Sequence, residues 1–162
     1  MGRNKKERLR GINERLKQFN KDYPSSACIN NIREENILLA SGWAELHGQT
    51  IKAASCRHLA PFVNQLCDDF FSGDDLFHKS VKKVANSMCH VYDVLYRTDT
   101  FMSEAESDEL EQALQHLGKH MQLLRQLSEE KGWQIFQIKP KCHYAMHVGQ
   151  QPRLISPRAC QN

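Results

Sequence analysis

Between Asp74 and Arg97 the apolar residues Phe77, Val81, Val84, Met88, Val91 and Leu95 follow one another at steps of four, three, four, three and four. A strand returns to the same face every second residue and cannot keep this series on one side, whereas an α-helix can. Ala85, Cys89, Tyr92 and Tyr96 widen the apolar arc on one flank, and Leu76 and Val94 widen it on the other. A helix apolar over about half its circumference is contacted by two or more neighbours. The expected fold is therefore all-α, an irregular bundle of about five helices around a central helix near residues 74–97.

The flanking segments supply the neighbours. Residues 50–71 place Leu59, Phe62, Val63, Leu66, Cys67 and Phe70 toward one side, and Pro61 implies either a kink or a later start. Ser72-Gly73-Asp74-Asp75 reads as a stop and restart, with Asp74 or Ser72 as the cap. Ser103 and Glu106 have the spacing of a capping box, and Glu104, Asp108, Glu109 and Glu111 suit the positive end of a helix. That helix should reach about Lys131, with Leu110, Leu114, Leu117, Met121, Leu124 and Leu127 as its seam and Gly132 as its stop. For Ala27 to Ala40 periodicity does not separate helix from strand, and helix is the reading taken. Trp43 to Gly48 reads as a loop. Trp133 to Ile138 reads as an extended connection that buries Trp133 and Phe136. Lys139-Pro140 opens a short helix to about Gln150, and Pro152 and Pro157 keep the remainder irregular.

The chain thus divides into a basic amphipathic N-terminal helix over 1–22, a helical core over 27–138 and a basic, partly irregular segment over 139–162. A length of 162 residues suits one ordinary domain. No run of eighteen apolar residues occurs, and Met1 to Arg10 lacks the apolar stretch of a secretory signal. The expected location is intracellular, with nucleus and cytoplasm unresolved, and no transmembrane segment is expected. The cysteines at 28, 56, 67, 89, 142 and 160 form no C-x-x-C pair, so reduced, packed thiols are expected.

The formal net charge of +3 conceals segregation: residues 1–21 carry eight Lys or Arg against Glu7 and Glu14, and residues 132–162 carry Lys139, Lys141, Arg153 and Arg158 with no acid. In the first segment Leu9, Ile12, Leu16 and Phe19 form the docking stripe, interrupted by Gly11. Lys5, Lys6, Arg8, Arg10, Arg15 and Lys17, with Lys139 and Lys141, are the candidate contacts to nucleic acid or an acidic protein partner.

Two histidine pairs stand four apart, His116 with His120 and His143 with His147. On a helix each pair turns two imidazoles the same way, the geometry of half a zinc site, and Cys142 could add a thiolate. Neither pair has the glutamate of H-E-x-x-H, so no cofactor is expected and zinc is the alternative. The chain lacks G-x-S-x-G, a phosphate loop and G-x-G-x-x-G, and adjacent pairs such as Cys89-His90 do not face each other on a helix. No catalytic residue is assigned.

The run from Lys139 to Val148, K-P-K-C-H-Y-A-M-H-V, with Pro157-Arg158 downstream, resembles a segment of transposase-like proteins of mobile DNA elements, in which a P-K-x-H-x-x-x-H run follows a set of helices. Glu45-Leu46-His47-Gly48-Gln49 with Ala53-Ala54 is similar to their L-x-G-K-A segment, although Gln49 stands where lysine is usual. The resemblance spans about Trp43 to Arg158 and makes Lys141, His143 and His147 motif positions. Such transposases cut DNA with three carboxylates on a mixed α/β domain, and this chain offers no run of strands for one. The resemblance therefore implies an accessory helical region or fragment without nuclease activity. The function expected is a non-enzymatic helical module, mobile-element derived, that binds a protein partner or nucleic acid through its basic ends. The alternative is a metal-binding domain or metal-dependent enzyme built on the histidine pairs.

Overall fold

A computed structural model describes residues 4–24, 29–38, 45–46, 53–99, 101–133, 135, 136, 138 and 147. Four α-helices account for most of them: α1 (Lys5–Asp22), α2 (Ala53–Phe70), α3 (Leu76–Arg97) and α4 (Glu104–Glu130). A 3₁₀ turn over Glu34–Asn36 leads into β1 (Ile37–Leu38), which pairs antiparallel with β2 (Glu45–Leu46), Ile37 opposite Leu46. The all-α class holds, with four α-helices among the described residues. Residues 1–63 and 64–162 form two units, and the division falls within α2, between Val63 and Asn64.

In the first unit α1 begins at a capping box, the Glu7 N–H donating to Asn4 Oδ1 at 2.9 Å and the Asn4 N–H to Glu7 Oε2 at 3.2 Å. Leu16 and Phe19 are buried, Leu9 and Ile12 half-buried. The Phe19 ring lies 5.5 Å from that of Phe62, which is buried with Leu59 and Ala60 on α2. Pro61 sits inside α2, where it deprives the Arg57 carbonyl of its usual amide partner, yet the helix continues.

The helix expected over Ala27 to Ala40 is not formed in its described part. Its polar backbone is taken up by side chains instead. Asn13 of α1 accepts from the Ile32 N–H at 2.7 Å and donates to the Ile32 carbonyl at 2.8 Å. Asn20 donates to the Ile29 carbonyl at 2.9 Å, and buried Asn36 accepts from the Arg33 N–H at 2.8 Å. These bonds satisfy the groups a helix would pair internally, while Ile29 and Ile32 still bury.

In the second unit α3 and α4 form an antiparallel helical hairpin. Val91 and Val94 near the end of α3 pack with Met102 and with Leu110, Ala113 and Leu114 near the start of α4. Phe77, Val81 and Ala85 near the start of α3 pack with Leu124 and with Cys67 of α2. The buried face of α3 consequently turns along its length. Ser80, Ala85 and Val94 are buried, whereas Val84, Met88 and Leu95 of the expected stripe are only half-buried. On α2, Val63 and Phe70 of the expected apolar side are exposed.

The ends of these helices follow local chemistry. Asp75, rather than Asp74 or Ser72, caps α3 by accepting from the Phe77 N–H at 2.9 Å and the His78 N–H at 3.2 Å. Ser103 and Glu106 close the capping box of α4, with Ser103 Oγ donating to Glu106 Oε2 at 2.7 Å and the Ser103 N–H donating to the same oxygen at 2.8 Å. These bonds hold the Glu106 carboxyl below its ordinary pKa. At the other end Gly132 adopts φ 69°, the Trp133 N–H reaches the Ser128 carbonyl and the Gly132 N–H reaches that of Glu129, the paired bonds of a Schellman motif. Phe136 also has positive φ, 61°, so the expected extended connection instead bends. Phe136 is half-buried and Trp133 is exposed on one side, its ring 5.5 Å from Phe77 and edge-on to it.

Gly73 serves the restart differently from a helix stop. Its N–H donates to His78 Nδ1 at 3.0 Å. Asp75 Oδ2 approaches the same ring nitrogen at 3.3 Å. A methyl group on Gly73 would stand 2.1 Å from Nδ1. Gly73→Ala should therefore displace the imidazole and lower stability by about 1–3 kcal/mol, read as a lower urea midpoint at unchanged slope; an unchanged midpoint would contradict this packing.

Candidate functional site

Two surfaces concentrate chemistry, and each lies within one unit. On α1, a turn of 100° per residue sets Lys6, Arg10, Lys17 and Lys21 within a sector of about 60° and along about 22 Å of helix. All four are exposed, and the sector faces away from buried Leu16 and Phe19. Lys6, Lys17 and Lys21 have no ion pair among the described residues, and Arg10 meets Glu14 only at 3.7 Å with both side chains largely exposed. Such an exposed pair is worth little.

The structure thereby sorts the cations expected from sequence. Lys6, Arg10 and Lys17 share the stripe. Arg8 and Arg15 lie on the opposite flank, and Lys5 is engaged with Glu34 at 3.0 Å. That contact holds the Glu34 carboxyl below its ordinary pKa. Lys21, outside the expected set, also lies on the stripe; its sequence signal is its spacing of four from Lys17. Lys139 and Lys141 lie outside the described residues.

The second surface is a groove of about 710 Å³ between α3 and α4. From α3 it is lined by Lys83, Asn86, Ser87 and His90, and from α4 by Glu109, Gln112, Ala113, His116, Lys119 and His120. Both sets recur at three and four residues, so each is one polar helix face. Glu109 Oε1 lies 2.9 Å from His90 Nε2, and its other oxygen accepts from Arg97, which also approaches Asp93 at 3.5 Å. The Glu109 carboxylate is thus held by two partners.

His120 is half-buried, and its Nδ1 is buried without a hydrogen-bond partner among the described residues. Burial, then the charges of Lys83, His116 and Lys119, lower its pKa, so the ring is neutral at neutral pH. His116 is exposed on the same face, as their spacing implies. Among the described residues no group of three or more His, Cys, Asp or Glu is placed to hold a metal ion. His143 and Cys142 lie outside the described residues, and His147 is described only as an exposed helical residue. Cys67 and Cys89 are free thiols whose pKa burial pushes up, which opposes a role as thiolate nucleophiles.

No protein-family model matches the chain, and no curated protein or solved structure matches it. Among the described residues no helix is long and apolar enough to cross a membrane. The Lys139 to Val148 run, apart from His147, lies outside the described residues, as do His47 to Gln49; Glu45 and Leu46 of the upstream segment belong to β2.

Proposed function

We propose that the chain is a non-enzymatic helical module that binds nucleic acid through α1, with Lys6, Arg10, Lys17 and Lys21 as the phosphate contacts. The α1 stripe is the observation that carries this reading. It is long, single-signed apart from Glu14 at its margin, and turned away from the face that docks on α2, so it can meet a phosphate backbone while α1 stays folded. Lysine and arginine contacts of this kind bind by releasing condensed counterions, without reading sequence. The resemblance to the accessory region of transposase-like proteins agrees with a DNA partner, and Lys139 and Lys141 would add to the same electrostatic term.

Binding of a labelled DNA duplex, followed by fluorescence anisotropy, tests this reading. Four phosphate contacts give a slope of log affinity against log salt of about −3 to −4, so affinity falls roughly a hundredfold between 50 and 200 mM salt. Lys17→Gln/Lys21→Gln should reduce that slope by about half. Neutralisation is a cleaner probe than deletion of residues 1–21, which would also remove buried Leu16 and Phe19. Binding that is absent or insensitive to salt would overturn the reading and leave an acidic protein as the partner for α1.

A further inference from the structure

The groove between α3 and α4 is electrically uneven. At one end Lys83 of α3 faces His116, Lys119 and His120 of α4, and the charges of all three neighbours act on His120. Neither Lys83 nor Lys119 has an ion pair among the described residues, whereas Lys79 and Lys82 on the same helix pair with Asp74 and Asp68. Seven residues farther along α3, about 10 Å away, His90 meets Glu109, the only acid among the groove's described lining residues. Asn86, Ser87 and Gln112 lie between these ends, and Ala113, buried and small, leaves the floor open.

Like charges gathered without a counter-charge raise the free energy of a fold, and a bound anion relieves that cost. Lysine is an effective point-charge partner for phosphate, and histidine ring N–H groups and side-chain amides add donors around its oxygens. A cation is disfavoured at the same place by Lys83 and Lys119. The volume lies in the range of small-molecule sites, and the groove is concave where the α1 stripe is convex.

We propose that this groove binds a small phosphorylated molecule, with its phosphate at the Lys83–Lys119 end and an amine or hydroxyl donor at the Glu109 end. Glu109 is already oriented by Arg97 and His90, so it can accept from a ligand without reorganising. The middle residues suit the uncharged polar body of such a ligand.

Histidine ring signals in the intact chain, followed by NMR at constant ionic strength, test the proposal. The probes are inorganic phosphate and adenosine 5′-monophosphate, which carries an amine far from its phosphate. Both probes should shift the His116 and His120 signals saturably. Bound phosphate should also move the His120 titration to higher pH. Lys83→Gln/Lys119→Gln should weaken both probes on the order of tenfold or more. The thermal midpoint of that variant should be unchanged or raised, because it separates no ion pair. Glu109→Gln should weaken the nucleotide and leave inorganic phosphate unchanged. Lys17→Gln/Lys21→Gln should change neither, which separates this site from the α1 stripe.

The proposal fails if neither probe gives a saturable shift, if chloride at matched ionic strength reproduces it, or if Lys83→Gln/Lys119→Gln leaves it intact. It fails equally if a DNA duplex shifts these signals and the small phosphates do not, since the phosphate would then belong to nucleic acid.

Discussion

Leu124→Ala lowers the stability of the folded chain by about 2–5 kcal/mol. Leu124 is fully buried at the centre of the cluster formed by Cys67, Phe77, Val81 and Ala85, with Phe71, Val84, Leu127, Ile135 and Phe136 around its edge. Truncation removes the buried methyl groups and leaves a cavity, because the helices that line it are held by their other contacts. Small domains have about 5–15 kcal/mol in total, so the loss is a large part of the whole. Urea unfolding would show a lower midpoint at an unchanged slope. Gln126→Ala, two residues along and exposed, is the control and should stay within about 0.5 kcal/mol of the parent. A Leu124→Ala loss no larger than that of the control would contradict the packing described above.

The second large effect has the opposite sign. Ser80 and Thr98 are buried, and neither hydroxyl has a hydrogen-bond partner among the described residues. Ser128 provides the contrast, since it is equally buried but its hydroxyl donates to the Leu124 carbonyl at 2.7 Å. A buried polar group without a partner costs about 1–3 kcal/mol, and replacing it by an apolar group of the same shape recovers part of that cost. Ser80→Ala with Thr98→Val should therefore raise the thermal midpoint, with a gain on the order of 1 kcal/mol or more. Ser128→Ala should not. If the double variant melts at a lower temperature than the parent, these hydroxyls are satisfied in solution by some other group.

The limits of α4 were legible because they depend on neighbours within a few residues, Ser103 with Glu106 and Gly132 after the last turn, whereas α3 was legible from apolar residues at helical steps but not in its cap, which is Asp75. The segment around Ile29 to Ile32 was not legible, because Asn13 and Asn20, distant in sequence, determine where its backbone bonds go. The buried face of α3 was legible only as an average. Its turn from Val81 and Ala85 toward Val94 follows from two different parts of α4 covering its two halves.

The candidate sites divide in the same way. His116 and His120 can be placed on one helix face from their spacing, but the approach of Lys83 depends on the register between α3 and α4. Polar residues at three- and four-residue steps also describe an ordinary solvated face. Only the packing of two such faces beside each other makes a groove. On α1 the cations were visible at once, while their separation into a stripe and a flank required the docking face to be known. Lys21 joined them only then.

The hairpin of α3 and α4 also bears on how quickly the second unit organises itself. Its two helices are joined by the short stretch from Thr98 to Ser103, and their contacts pair residues that are near in sequence at the hinge and progressively farther apart toward the open end. Chains dominated by such local pairings close small loops before large ones and fold in microseconds to milliseconds. Val91, Val94, Leu110 and Leu114 can meet first and the ring of Phe77 last, so the hairpin can zip from its turn. The aromatic end, closed by Trp133, is then the part that reports completion.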